Sequence, residues 1–130
     1  MKRAVIDTNI LIGWYKAGIV SDGGNLANTV PVFSIITKIE ALGFRGISKD
    51  EIRAITKMLD VGELVYVNHK IAYHTIDLRQ KHKIKTPDAI IAATALASNS
   101  ELWTANTSDF SKIEGLKLHN PLEPDKVSSL

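Results

Sequence analysis

The chain has 130 residues, 45% hydrophobic and 23% charged, which reads as one soluble globular domain with its own core rather than a disordered segment. A net charge of +2 is too small to argue nucleic-acid binding by itself, and with no cysteine there is neither a disulfide framework nor a thiolate metal site. No apolar run reaches the ~18 residues of a membrane span. Asp7 breaks the first apolar run before any secretory cleavage pattern, so no membrane attachment and a cytoplasmic location are expected.

Strand and helix signals alternate along the chain. Ala4–Ile6 reads as a short buried strand ending at Asp7, followed by a helix, "NILIGWYKAG", up to Gly18. "SDGGNLANTV" is turn-rich. Val32–Ile36 is β-branched and aromatic and predicts a second strand. Thr37 is expected to open the next helix and Ser48 another, with Ile52, Ile55 and Leu59 at helical spacing and Gly62 as its stop. Glu63–Val67 predicts a third strand. "HKIAYHTIDLRQKHK" predicts a helix, and "TPDAIIAATALASN" a second helix with almost no polar face. "ELWTA" and "LKLHN" predict the last two strands. The expected organisation is a single domain over 1–121 and a polar, frayed tail over 122–130. Alternation of this kind implies a parallel sheet with helices on both faces, whose sites form outside the carboxyl ends of the strands.

Four acids fall at that edge. Asp7 follows the first strand, Glu40 lies in the first turn of the helix after the second, Asp88 opens the apolar helix, and Asp109 follows the fourth strand in "TANTSDF". Each also has a purely local reading. Thr37 and Glu40 match a capping box, while Thr86 and Pro87 suit a helix cap and first position with Asp88 favoured by the helix dipole. Asp109 suits a cap for "FSKIEG", and Asp7 a strand-end turn. As a group the acids demand more. Two carboxylates ~5 Å apart repel by ~3 kcal/mol at an effective dielectric of ~20. A fold that gathers four needs a cation, and oxygen donors without histidine or cysteine suit Mg²⁺ or Mn²⁺. The chemistry such an ion serves best is transfer of a phosphoryl group to water.

The stretches "VIDTNIL", "SIITKIEAL", "TPDAIIAATAL" and "LWTANTSDFSKIEGLKLHNP" resemble the PIN-domain ribonucleases, and among them the VapC toxins of bacterial toxin–antitoxin pairs. The resemblance runs in order over nearly the whole chain. It implies a five-stranded parallel sheet in a three-layer α/β/α sandwich. It also implies Mg²⁺- or Mn²⁺-dependent endonucleolytic cleavage of RNA, leaving a 5′-phosphate and a 3′-hydroxyl. An antitoxin protein partner and a homodimer are implied as well. Carried onto this chain, Asp7 and Asp88 become the principal metal ligands, and Glu40 holds a second ion or orients water. Relatives often carry an acid two residues after the threonine of the fourth strand. Here that slot holds Asn106, so Asp109 is taken as the fourth acid with Thr104 and Asn106 as polar supports. Asn9 is expected beside Asp7.

Other residues carry weaker signals. "RQKHKIK", with Lys83 and Lys85, is either a phosphate-holding patch beside Asp88 or a solvated helix end. Trp14 and Tyr15 suit a core or partner-facing role better than base stacking. His69, His74, His82 and His119 show no metal spacing, and the glycines match no P-loop or dinucleotide fingerprint. The loop Ser21–Thr29 is expected to govern target choice. A phospho-acceptor domain would need an acidic pair after the first strand and an aspartate after the third, where this chain has a single Asp7 and "VNH". An aspartate-nucleophile phosphatase would need an acid where Asn9 stands. A PIN-like binding module without catalysis stays open because of Asn106.

Overall fold

The computed structural model describes residues 2–18 and 28–122. Most of the loop Ser21–Thr29 and the tail beyond Leu122 lie outside the described residues.

β1 (Lys2–Ile6) leads through Asp7 into α1 (Thr8–Lys16). β2 (Thr29–Ser34) runs directly into α2 (Ile35–Leu42), and α3 (Lys49–Asp60) precedes β3 (Glu63–Val65). α4 (His69–Lys81) and α5 (Thr86–Ala97) are consecutive, followed by β4 (Glu101–Trp103), the short α6 (Thr107–Phe110) and β5 (Leu118–His119). The sheet order is β3-β2-β1-β4-β5, and every pairing is parallel. The chain moves outward from β1 through β2 to β3, then crosses back to add β4 and β5 on the other side of β1. The strand order therefore switches between β1 and β4, where a crevice opens at their carboxyl ends.

Alternation along the strands builds two cores. Ala4, Ile6, Phe33 and Trp103 pack with Ile10, Leu11 and Trp14 of α1 and Ile55, Met58 and Leu59 of α3. Val5, Val32 and Leu102 point the other way, against Ile71 and Leu78 of α4 and Ile91, Ala92 and Ala95 of α5. This is the expected three-layer α/β/α sandwich, with the strands buried on both faces. Trp14 is a core residue, set edge-on to Trp103 with ring centroids 6.3 Å apart. Among the described residues, no helix is long and apolar enough to cross a membrane.

Several boundaries differ from those the sequence predicts. β2 begins at Thr29 and includes Pro31, which is tolerated because β3 pairs with β2 only from Val32 onward. The strand ends at Ser34 rather than Ile36, because the Ser34 hydroxyl accepts from Ile36 N at 3.1 Å and caps α2. The capping box expected at Thr37 and Glu40 therefore does not form. Thr37 is fully buried inside α2, and Glu40 falls in its second turn. The box at Ser48 and Glu51 of α3 does form. α5 begins at Thr86, one residue before the expected start, and no side chain caps it. Asp109 sits inside α6, which the sequence reading did not separate.

Candidate active site

Asp7 stands where β1 ends and α1 begins. Its extended backbone makes it the N-cap of α1, and its Oδ1 accepts from Thr8 N at 2.8 Å. Oδ2 accepts from the Thr104 hydroxyl at 2.8 Å and from Asn9 Nδ2 at 3.4 Å. Thr104 follows β4 directly, so this contact closes the crevice between the two central strands. Asn9 Oδ1 in turn accepts from Ala105 N at 3.1 Å, and Thr104 Oγ1 accepts from Asn106 N at 3.0 Å. Asn106 thus supports Thr104 through its backbone, while its exposed side chain is free to line the cavity beside it.

Glu40 reaches the same edge from α2. Its Oε1 accepts from the Thr8 hydroxyl at 2.7 Å, and Thr37 ties α2 to the end of β1 by donating to Ile6 O at 3.4 Å. Asp88 and Asp109 line a cavity of about 490 Å³ with Lys83, Lys85 and Asn106. The structure thus places Asp7, Asn9, Thr104 and Glu40 in one hydrogen-bonded chain through Thr8. Asp88, Asp109, Asn106, Lys83 and Lys85 stand around an adjoining cavity. Thr8, Thr37 and Lys112 were missed from sequence. Thr8 carried a signal, as the residue next to Asp7 at a helix start, but its bond to Glu40 depends on how α1 meets α2.

The two groups are joined electrostatically. Burial pushes the Asp7 carboxyl above the ordinary aspartate range. The hydrogen bonds from Thr104 and Thr8 oppose this, while the charges of Asp88 and Glu40 add to it. Asp88 is also raised, first by burial and then by the charge of Glu40. Lys85 pulls it back, and Asp109 pushes it up again. Four carboxylates therefore feel one another at one edge of the sheet.

The donors are hard oxygens, the type that Mg²⁺ and Mn²⁺ prefer. Among the described residues, no three Asp, Glu, His or Cys side chains already stand close enough to hold one ion. The donor chemistry is what fits Mg²⁺, an ion that keeps several waters and is commonly held by one or two carboxylates plus substrate phosphates.

Fold and site together define a doubly wound α/β domain with an acid-lined crevice at its switch point. The PIN domain family model matches residues 4–116, and the chain belongs to that family. It is 29% identical over 126 residues to ribonuclease VapC1 of Methanocaldococcus jannaschii, covering 91% of this chain and 88% of the relative. Among solved structures, it is similar to a chain of a toxin–antitoxin complex from Klebsiella pneumoniae, at 34% identity and a TM-score of 0.72, covering 93% of this chain and 99% of that one. It is likewise similar to a chain of VapBC-1 from nontypeable Haemophilus influenzae, at 30% identity and a TM-score of 0.73, covering 91% and 97%.

Proposed function

We propose that this chain is a metal-dependent endoribonuclease and the toxin of a VapBC-like toxin–antitoxin pair. The similarity to ribonuclease VapC1 supports the nuclease class, and the similarity to VapBC complexes supports an antitoxin partner. The observation that carries the reading is the electrostatic coupling of Asp7, Glu40, Asp88 and Asp109 at the switch point. It is a cost to the fold that a bound cation would offset.

In this reading Asp7, Glu40, Asp88 and Asp109 hold Mg²⁺ or Mn²⁺. When bound, the metal polarises the phosphodiester, acidifies the attacking water and stabilises the leaving oxygen. The protein's part is positioning. Thr104, Thr8 N and Asn9 fix the Asp7 carboxylate, and the Thr8 hydroxyl fixes Glu40. Asp7 and Glu40 then enter the reaction with little freedom to lose. Lys83 and Lys85 hold RNA phosphates beside Asp88. The working form is a homodimer, and the products carry a 5′-phosphate and a 3′-hydroxyl.

A second reading, a PIN-fold binding module with weak or no catalysis, is favoured by one observation: the slot two residues after Thr104, where the family resemblance implies an acid, holds Asn106. Purified protein incubated with an RNA pool in Mg²⁺, in Mn²⁺ and in EDTA separates the two. Metal-dependent cuts that vanish in folded Asp88→Asn protein support the nuclease. Intact RNA in every sample, with no heat of Mn²⁺ binding by calorimetry, supports the binding module.

A further inference from the structure

The acids account for only part of the lining of the crevice. The cavity of about 490 Å³ is lined by Asp88, Asp109 and Asn106 and also by Lys83, Lys85 and Lys112. Its volume falls in the range of sites that enclose small ligands, so a nucleotide unit fits. The lysines come from two places. Lys83 and Lys85 lie in the connection between α4 and α5, and Lys112 follows α6. Lys112 Nζ donates to Lys83 O at 3.2 Å, which clasps the two segments together. All three side chains are exposed. Among the described residues none forms an ion pair, although two aspartates share their cavity. Three cations share the cavity with two carboxylates, and although Lys85 already acts on Asp88, the excess positive charge favours an anion there. Because Asp88 lines this cavity and feels the charges of Glu40 and Asp109, that anion lies next to whatever the acids bind.

Resting on the ribonuclease reading, we propose that Lys83, Lys85 and Lys112 form a subsite for the RNA phosphodiester adjacent to the one that is cut. Lys112 is its new member. It acts as a positioning residue, anchoring the strand so that the next phosphate falls against the acids. A point charge suits this task because the contact is to backbone rather than base.

The test uses a short RNA cut once by the wild-type protein. Lys112→Gln retains a hydrogen-bond donor for Lys83 O but removes the charge, while Lys112→Arg retains the charge. The subsite predicts that Lys112→Gln and Lys112→Ala both raise KM by about 5-fold, more than they lower kcat, and that Lys112→Arg restores it. It further predicts that the difference disappears when the linkage on one side of the cut is an uncharged methylphosphonate. Lys57→Ala, on α3, controls for general loss of charge. A Lys112→Gln protein with wild-type KM overturns the proposal. So does a KM difference that persists whichever flanking linkage is neutral. If the wild-type protein cuts no RNA, the nuclease reading fails, and the subsite is judged by binding of a labelled oligoribonucleotide. A slope of log affinity against log salt shallower by about 0.7 in Lys112→Gln supports it, and equal slopes overturn it.

Discussion

The Thr104 hydroxyl donates to Asp7 Oδ2 at 2.8 Å, joining residues 97 apart in sequence across the two central strands. Both residues are buried, Thr104 completely. Thr104→Val keeps the shape but removes this donor and leaves Asn106 N without its acceptor. Leaving buried polar groups unmatched costs about 1–3 kcal/mol. The variant is expected to unfold at correspondingly lower urea at neutral pH, with Thr104→Ser close to wild type. Identical midpoints for Val and wild type would show that the bond contributes nothing.

Asp88 has a direction of pH dependence that follows from its neighbours. Burial raises its pKa, the charges of Glu40 and Asp109 add to this, and Lys85 opposes it. A raised folded-state pKa gives stability that is complete below the ordinary aspartate value of 3.8 and is lost as pH rises through the raised value. At neutral pH the ionised carboxylate therefore works against the metal-free fold. Asp88→Asn is expected to melt higher than wild type at pH 7 without metal, with the gap closing in acid. A variant that melts lower than wild type at pH 7 contradicts this account, even though the same substitution is expected to abolish cleavage.

The sheet was legible because its buried strands are short apolar runs separated by helical periodicity. Asp7 and Asp88 were legible because one ends a strand and the other opens a helix. What escaped were features decided by contacts between elements. Thr37 and Glu40 fit a capping box on paper, but Ser34 takes the cap one turn earlier. That frees Thr37 to donate to Ile6 O and Glu40 to accept from Thr8. No periodicity encodes those partners. Lys112 was invisible for a similar reason: its place beside Lys83 depends on how the chain folds back after α6. The four acids could be singled out in the sequence because each falls at the carboxyl edge that a parallel sheet implies. In the structure they form an electrostatically coupled set, spread over a hydrogen-bonded chain and a cavity.

Gly62 is required by close approach rather than by turn geometry. A Cβ there would stand 2.3 Å from Pro31 O and 2.8 Å from the Phe33 ring. The oxygen belongs to the backbone of β2 and cannot move without disturbing the centre of the sheet. Gly62→Ala is expected to cost at least about 1–3 kcal/mol. Hydrogen exchange should show the loss first at β3, the edge strand that Gly62 introduces. Unchanged protection of Leu64 and Val65 would contradict this packing argument.

Metal binding should be visible in stability without any RNA. An ion that offsets the repulsion among the acids binds the folded chain and not the unfolded one. At a free concentration of about 100 times Kd it would add about 2.7 kcal/mol. Mn²⁺ is therefore expected to raise the melting temperature at pH 7. Asp7 and Asp88 both hold their protons to higher pH than ordinary aspartates. Protons should then compete with the ion before an exposed carboxylate would titrate, so the gain should fade as pH drops through the raised values. Asp7→Asn should remove the gain, whereas Asp60→Asn, on the surface of α3, should retain it. Asn106→Asp places another carboxylate in the cavity of Asp88 and Asp109. It is expected to lower metal-free stability through added repulsion and to tighten Mn²⁺ binding in a calorimetric titration. Tighter binding would show that a carboxylate at position 106 can join the metal site. Unchanged Mn²⁺ affinity would mean that Asp109 already supplies the fourth carboxylate.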